Sequence, residues 1–165
     1  MVDVISNLQW NDILDEEIST SEVRHIIKSL PNNKASGKDC LLYEMFKHAT
    51  DVTLMSMAVL FSKIMQCGYY PKSWAEGVIT LLHKNGPCDD LNNFRDITLL
   101  SCFGKVFEGT LCNRLVHWEE AYRVISESQA AFRHGYSTSD HIFTLQGLIS
   151  KSFLESRKLY VAFID

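Results

Sequence analysis

The sequence has no surplus of positive charge, no basic run, no long apolar stretch and no paired spacing of cysteine or histidine. Across 165 residues, 16 Lys and Arg stand against 20 Asp and Glu, a net charge of −4. Phosphate neutralisation needs cations massed on one face, so the balance argues against tight autonomous binding of nucleic acid. No apolar run approaches the length of a membrane span, and Met1-Val2-Asp3 opens an acidic, mixed segment unlike a secretory signal, so the expectation is an intracellular protein without membrane contact. The five cysteines, at 40, 67, 88, 102 and 112, make neither an even set nor a close metal-ligand pair. They are expected to be reduced and mostly buried thiols. The six histidines are scattered, with no His-x-x-x-His pair enclosing a Glu. A P-loop, a dinucleotide fingerprint and a nucleophile elbow are also lacking, which leaves little support for an unrelated small α/β enzyme.

What is there is enough apolar material for a core. Hydrophobic residues make up 46% of the chain and charged residues 22%, ordinary values for one globular domain. Residues 1–17 read as a linker or docking segment. Ser19 and Glu22 have capping-box spacing, and Val23, Ile26, Ile27 and Leu30 follow at helical positions before Pro31. Residues 41–49 and 52–67 predict two helices. The second is dense in Leu, Met, Ile and Phe, closes at Gly68, and should be covered on more than one side as the centre of the core. A further helix over 101–122 would carry Phe103, Val106, Phe107, Leu111, Leu115 and Trp118 on one face, with Arg114 solvated or ion-paired. Ile142, Leu145, Ile149 and Phe153 mark another amphipathic helix, and residues 158–164 look like a buried strand.

The most structured signal lies at 78–105, VITLLHKNGPCDDLNNFRDITLLSCFGK, where two short apolar runs flank a polar loop. If the runs pair, Lys84 leaves the first as Arg95 enters the second. Ammonium and guanidinium then face the same space, a mobile point charge beside a planar fork, which suits a polyphosphate. Two solvated loop charges are the competing reading. Residues 129–139 combine Gln129, an aromatic, Arg133, Gly135, Tyr136 and the hydroxyls of Ser137, Thr138 and Ser139 at a helix start, a composition able to meet phosphate, sugar and base. An ordinary loop with a Ser or Thr N-cap explains the same residues.

Several stretches together carry a resemblance. YPKSW at 70–74, ITLLHKNG at 79–86, NNFRDITLLSCFGKVFEGTLCNRL at 92–115, SQAAFRHGYSTSDHIFTLQGLI at 128–149 and the terminal LYVAFID resemble, in order, the fingers and start of the palm of non-LTR (LINE-type) retrotransposon reverse transcriptases. Lys34, Ala35, Gly37 and Asp39 resemble a Lys-Ala-x-Gly-x-Asp element upstream. The resemblance spans 18–165 and implies a partial reverse transcriptase domain. Its fold would be α+β, a mostly helical fingers subdomain with a small antiparallel β element and the first palm strand at the C-terminus.

By that resemblance Lys84 and Arg95 would hold the incoming triphosphate. Gln129, Arg133, Gly135, Ser137 and Thr138 would contact RNA template and DNA primer, and Asp165, in Phe-x-Asp, would be the first catalytic carboxylate and magnesium ligand. Two-metal nucleotidyl transfer needs further carboxylates, so the expectation is no turnover by this chain alone, no tightly held Mg2+, and weak nucleic-acid binding. Lys38, Cys40, Asp96 and Ala131 depart from the family pattern, where Pro, Gly, Pro and Gly are usual. Asp96 in particular could pair with Arg95 or repel a triphosphate. The resemblance leaves two functions open: the fingers of an RNA-directed DNA polymerase acting in the nucleus or cytoplasm, or a non-catalytic helical interaction module derived from a decayed retroelement, and in either an exposed palm edge would be prone to association.

Overall fold

The computed structural model describes residues 11–126 and 128–163. The chain forms two compact units, one up to Trp118 and one from Glu119 onward. Its architecture is α+β: seven helices and one two-stranded antiparallel sheet among the described residues.

In the first unit, Asn11 caps a short helix α1 (Asp12–Asp15), accepting from the N–H groups of Ile13 and Leu14. The expected capping box forms at α2 (Thr20–Ser29). The Glu22 N–H donates to the Ser19 hydroxyl at 3.2 Å, and the Glu22 carboxylate accepts from the Ser19 N–H at 2.8 Å. Val23, Ile26 and Ile27, at helical spacing, are buried. Helix α3 (Tyr43–Lys47) is shorter than the 41–49 expectation, and α4 (Asp51–Cys67) starts on a Thr50 cap and ends at Gly68 in the left-handed region, φ 60°.

Leu54, Met57, Ala58, Phe61 and Ile64 of α4 enter the core, but Val52, Met55, Val59 and Leu60 are exposed. The helix is therefore covered on one side only: α2 packs on it, and nothing described covers the opposite stripe. Helix α5 (Lys72–Ala75) delivers Trp74 to an aromatic cluster with Phe61, Tyr70, Phe103 and Phe107, ring centroids 5.3–6.2 Å apart. Burial of such rings supplies about 2–3 kcal/mol each.

Helix α6 (Cys102–Tyr122) buries Val106, Phe107, Thr110 and Arg114, whereas Leu115 is 52% exposed. The apolar stripe expected through Leu115 therefore gives way, in the helix's second half, to a polar anchor. Arg114 is 7% exposed and ion-paired to Glu22 at 2.7 Å. Its guanidinium also donates to the carbonyls of Leu14, Glu16 and Glu17 at 3.2, 2.5 and 3.1 Å. One side chain thus ties the segment before α2, and α2 itself, to α6.

The cysteines are free, and only Cys102 is buried; Cys40, Cys67, Cys88 and Cys112 are exposed, against the expectation of buried thiols. Each of those four falls on a loop or an outward helix face, where hydrophobic type does not decide burial. In the second unit, α7 (Thr138–Leu154) has no buried residue, and residues 157–163 carry no strand pairing. Leu159, Tyr160, Val161 and Phe163 are exposed rather than buried, because a strand reads as buried only when a sheet receives it. Ile164 and Asp165 lie outside the described residues.

Candidate functional site

The sheet pairs β1 (Val78–His83) with β2 (Phe94–Leu99), Leu82 opposite Arg95 and His83 opposite Phe94. The ladder continues one step into the loop, where the Lys84 N–H donates to the Asn93 carbonyl at 2.8 Å. Side chains alternate between faces along a strand, and cross-strand partners share a face. Lys84, two residues beyond Leu82, therefore projects from the same face as Arg95, as its diagonal neighbour at roughly 7–8 Å. No side-chain hydrogen bond or ion pair engages either cation among the described residues.

The same alternation sends Asp96 to the opposite face, across from Leu81. Direct pairing between Asp96 and Arg95, one effect expected from adjacency, does not occur. The turn is held independently of the cations: the Asn93 amide donates to the Pro87 carbonyl at 2.9 Å, the Asp90 carboxylate caps the 3-10 turn Leu91–Asn93, and the His83 ring lies 5.1 Å from that of Phe94.

The Lys34 to Asp39 element positions this hairpin relative to α6. A Cβ on Gly37 would lie 2.4 Å from the Leu100 carbonyl oxygen, so only glycine admits the approach. Asp39 then accepts from the Cys102 N–H at 2.8 Å and the Ser101 hydroxyl at 2.9 Å, closing the N-terminus of α6. Cys40 holds φ 55°, a left-handed conformation that explains why glycine suits this position in the family pattern. Lys38, in place of proline, pairs with Glu76. The loop thus keeps a glycine-like path with a cysteine in it. Burial, helped by the nearby Asp39 charge, raises the Cys102 thiol above its ordinary pKa, and the thiol donates to the Leu41 carbonyl at 2.9 Å.

In the second unit, Gln129, Arg133, Gly135, Ser137 and Thr138 fall in one loop and helix start. Arg133 donates to the carbonyls of Ser126 and Gln129, both at 3.2 Å. It also lies over the Tyr136 ring at 4.4 Å and approaches Glu119 at 3.9 Å. Its guanidinium folds the loop. The Asp140 carboxylate accepts from the Ser137 N–H at 2.7 Å and the Ser137 hydroxyl at 3.2 Å, so an acid already occupies the start of α7. Gly135 takes φ 82°, and Phe132 takes φ 62° and is fully exposed. Asp165 lies outside the described residues, and among the described residues no group of three His, Cys, Asp or Glu side chains could hold a metal ion.

No family model matches the chain. Curated relatives do. A probable RNA-directed DNA polymerase from transposon BS of Drosophila melanogaster is 30% identical over 90% of the chain, and one from transposon X-element is 32% identical over 73%. The RNA-directed DNA polymerase from mobile element jockey of the same species is 29% identical over 82%. The chain resembles part of a non-LTR retrotransposon reverse transcriptase. The match spans 16% of the length of the jockey and BS proteins and 13% of the X-element protein. Reverse-transcriptase resemblance was legible in the order of short motifs. What motif order did not reveal were the residues that make those motifs hold: Asp39 as the cap of α6 and Arg114 as the anchor of the N-terminal segment. An acid three residues before a helix-forming stretch could not have flagged Asp39, since 62 residues separate it from the helix it caps.

Proposed function

We propose that residues 18–165 contribute the fingers and the start of the palm to the RNA-directed DNA polymerase of a non-LTR retrotransposon. Lys84 and Arg95 hold the phosphates of the incoming deoxynucleotide. Gln129, Arg133, Gly135, Ser137 and Thr138 shape the loop that meets the RNA template paired to its DNA primer, and Asp165 is the first catalytic carboxylate and metal ligand. Phosphoryl transfer with two metal ions requires more carboxylates than Asp165. The role assigned to this chain is therefore binding and orientation, and it acts where template RNA and primer DNA meet, in the nucleus or cytoplasm.

The observation that carries this reading is the hairpin register, which puts two otherwise unengaged cations on one face with Asp96 on the other. Geometry of this kind recruits a polyphosphate through one point charge and one planar fork of donors. The test is equilibrium binding of a fluorescent deoxynucleoside triphosphate to the chain and to Lys84→Ala, Arg95→Ala and Asp96→Ala, with primer extension in magnesium alongside. Weak binding that falls about tenfold in each cation variant, is unchanged in Asp96→Ala, and is accompanied by no extension is the expected result. Equal binding by all four proteins overturns the site.

A second reading, a non-catalytic interaction module, draws on α7, whose Ile142, Phe143, Phe153 and Leu154 are all exposed. It gains support if the folded chain self-associates and binds no triphosphate.

A further inference from the structure

The loop before α7 turns its guanidinium and its capping carboxylate onto itself. Arg133 is held by two carbonyls and the Tyr136 ring, and the Asp140 carboxylate covers the helix start, where it repels rather than recruits a phosphate. The Phe132 ring is left outside these contacts. It is fully exposed on a backbone at φ 62°, a conformation that bulky residues adopt only under strain, and the neighbouring Arg133 contacts keep that conformation in place. A solvent-directed phenyl ring on a strained, locally braced backbone has a π-face to offer and no charge.

We propose that Phe132 is a stacking platform for an unpaired nucleobase of a single-stranded RNA. This deepens the template-contact role proposed above and rests on it: recognition at this loop comes from base stacking and not from phosphate capture. Stacking of a base on an aromatic side chain tolerates any sequence, because every base has a π-face. Two consequences separate it from electrostatic binding. Stacking should depend little on salt, whereas phosphate contacts weaken steeply as salt rises. It should also vanish for a strand that has ribose and phosphate but no bases.

The test uses the whole chain and fluorescence anisotropy of two labelled single strands, an ordinary RNA and an abasic ribose-phosphate strand of equal length, each over a salt series. Wild type, Phe132→Trp, Phe132→Ala and Phe132→Gly are compared, with thermal unfolding of each. Wild type should prefer the base-bearing strand by about tenfold at every salt concentration. Phe132→Trp should keep that preference, and Phe132→Ala and Phe132→Gly should abolish it. Phe132→Gly should meanwhile unfold at a higher temperature than wild type because glycine accepts positive φ without strain, so loss of binding cannot be loss of fold.

A preference retained in Phe132→Ala overturns the proposal. So does wild-type binding that is strong but indifferent to bases, and in that outcome the triphosphate site stands unaffected. Absence of binding to either strand overturns it together with the template role. Self-association lost on Phe132→Ala, without RNA binding, assigns the ring to a protein contact instead and likewise overturns it.

Discussion

Replacing Arg114 by Met removes a guanidinium that is 7% exposed and makes five hydrogen bonds, two to the Glu22 carboxylate and three to the carbonyls of Leu14, Glu16 and Glu17. Breaking a buried pair by deleting one partner costs roughly 3–5 kcal/mol. The lower end applies here, because Glu22 is 28% exposed and water can reach the segment that bears the three carbonyls. A loss of about 3 kcal/mol is therefore expected, a large part of the roughly 5–15 kcal/mol that holds an ordinary domain.

The same pair sets an acid limit. Burial alone would lift the Glu22 carboxyl, but hydrogen bonds from Arg114 and from the Ser19 N–H and hydroxyl outweigh it and hold the pKa at about 2, below its ordinary 4.5. A carboxyl depressed in the folded state contributes stability above the unfolded value, and that contribution is lost as pH falls from about 4.5 through about 2. The difference corresponds to about 3 kcal/mol at most, and to about 2 once solvent screening of the exposed edge is allowed for.

Urea denaturation followed by far-ultraviolet circular dichroism, at pH 7 and at steps down to pH 2, measures both effects. A double-mutant cycle of Arg114→Met with Glu22→Gln should give a coupling of about 2 kcal/mol at pH 7 that disappears near pH 2. A loss below about 1 kcal/mol for Arg114→Met, or a coupling near zero at pH 7, refutes the assignment of Arg114 as the anchor.

Three further outcomes follow from the same structure. Cys40→Gly should stabilise the chain by about 0.5–1 kcal/mol, since glycine relieves the left-handed strain at φ 55° at some entropic cost, and Cys40→Val should destabilise it; thermal unfolding distinguishes the two. Gly37→Ala should cost about 2 kcal/mol through collision with the Leu100 carbonyl, and Asp39→Ala about 1 kcal/mol through loss of the α6 cap, both read as shifts in denaturation midpoint. The Tyr70 phenol, raised by burial and by its 2.7 Å hydrogen bond to Glu108, should ionise only near pH 12. Absorbance at alkaline pH, taken as the difference from Tyr70→Phe, should show that late step, and Glu108→Gln should move it down.

The capping box at Ser19 and Glu22, the Gly68 helix stop and the hairpin were readable because each is a short-range pattern in which the residues that meet are within a few positions of one another. The pairing of its two runs was legible, but the register that sets Leu82 opposite Arg95 came from the structure. Burial was read less well. Leu115 has the helical spacing of a core residue and is exposed, whereas Arg114 beside it is buried, because the carboxylate and carbonyls that satisfy it come from residues about 90–100 positions earlier. The outward face of α4 and the apolar face of α7 look like core in sequence, yet periodicity records only that a helix has an apolar side and not whether anything packs on it.

The sequence by itself determined the long helices, the hairpin and the family resemblance, since capping, glycine stops, strand alternation and ordered motifs are written in neighbouring residues. Only the tertiary structure decided which polar groups are already spent. Arg114 is consumed by the N-terminal segment, Arg133 by its own loop and the start of α7 by Asp140, whereas Lys84 and Arg95 meet no side-chain hydrogen bond among the described residues. For Arg114 that distinction depends on partners 92–100 positions earlier, which no local pattern of residue types contains.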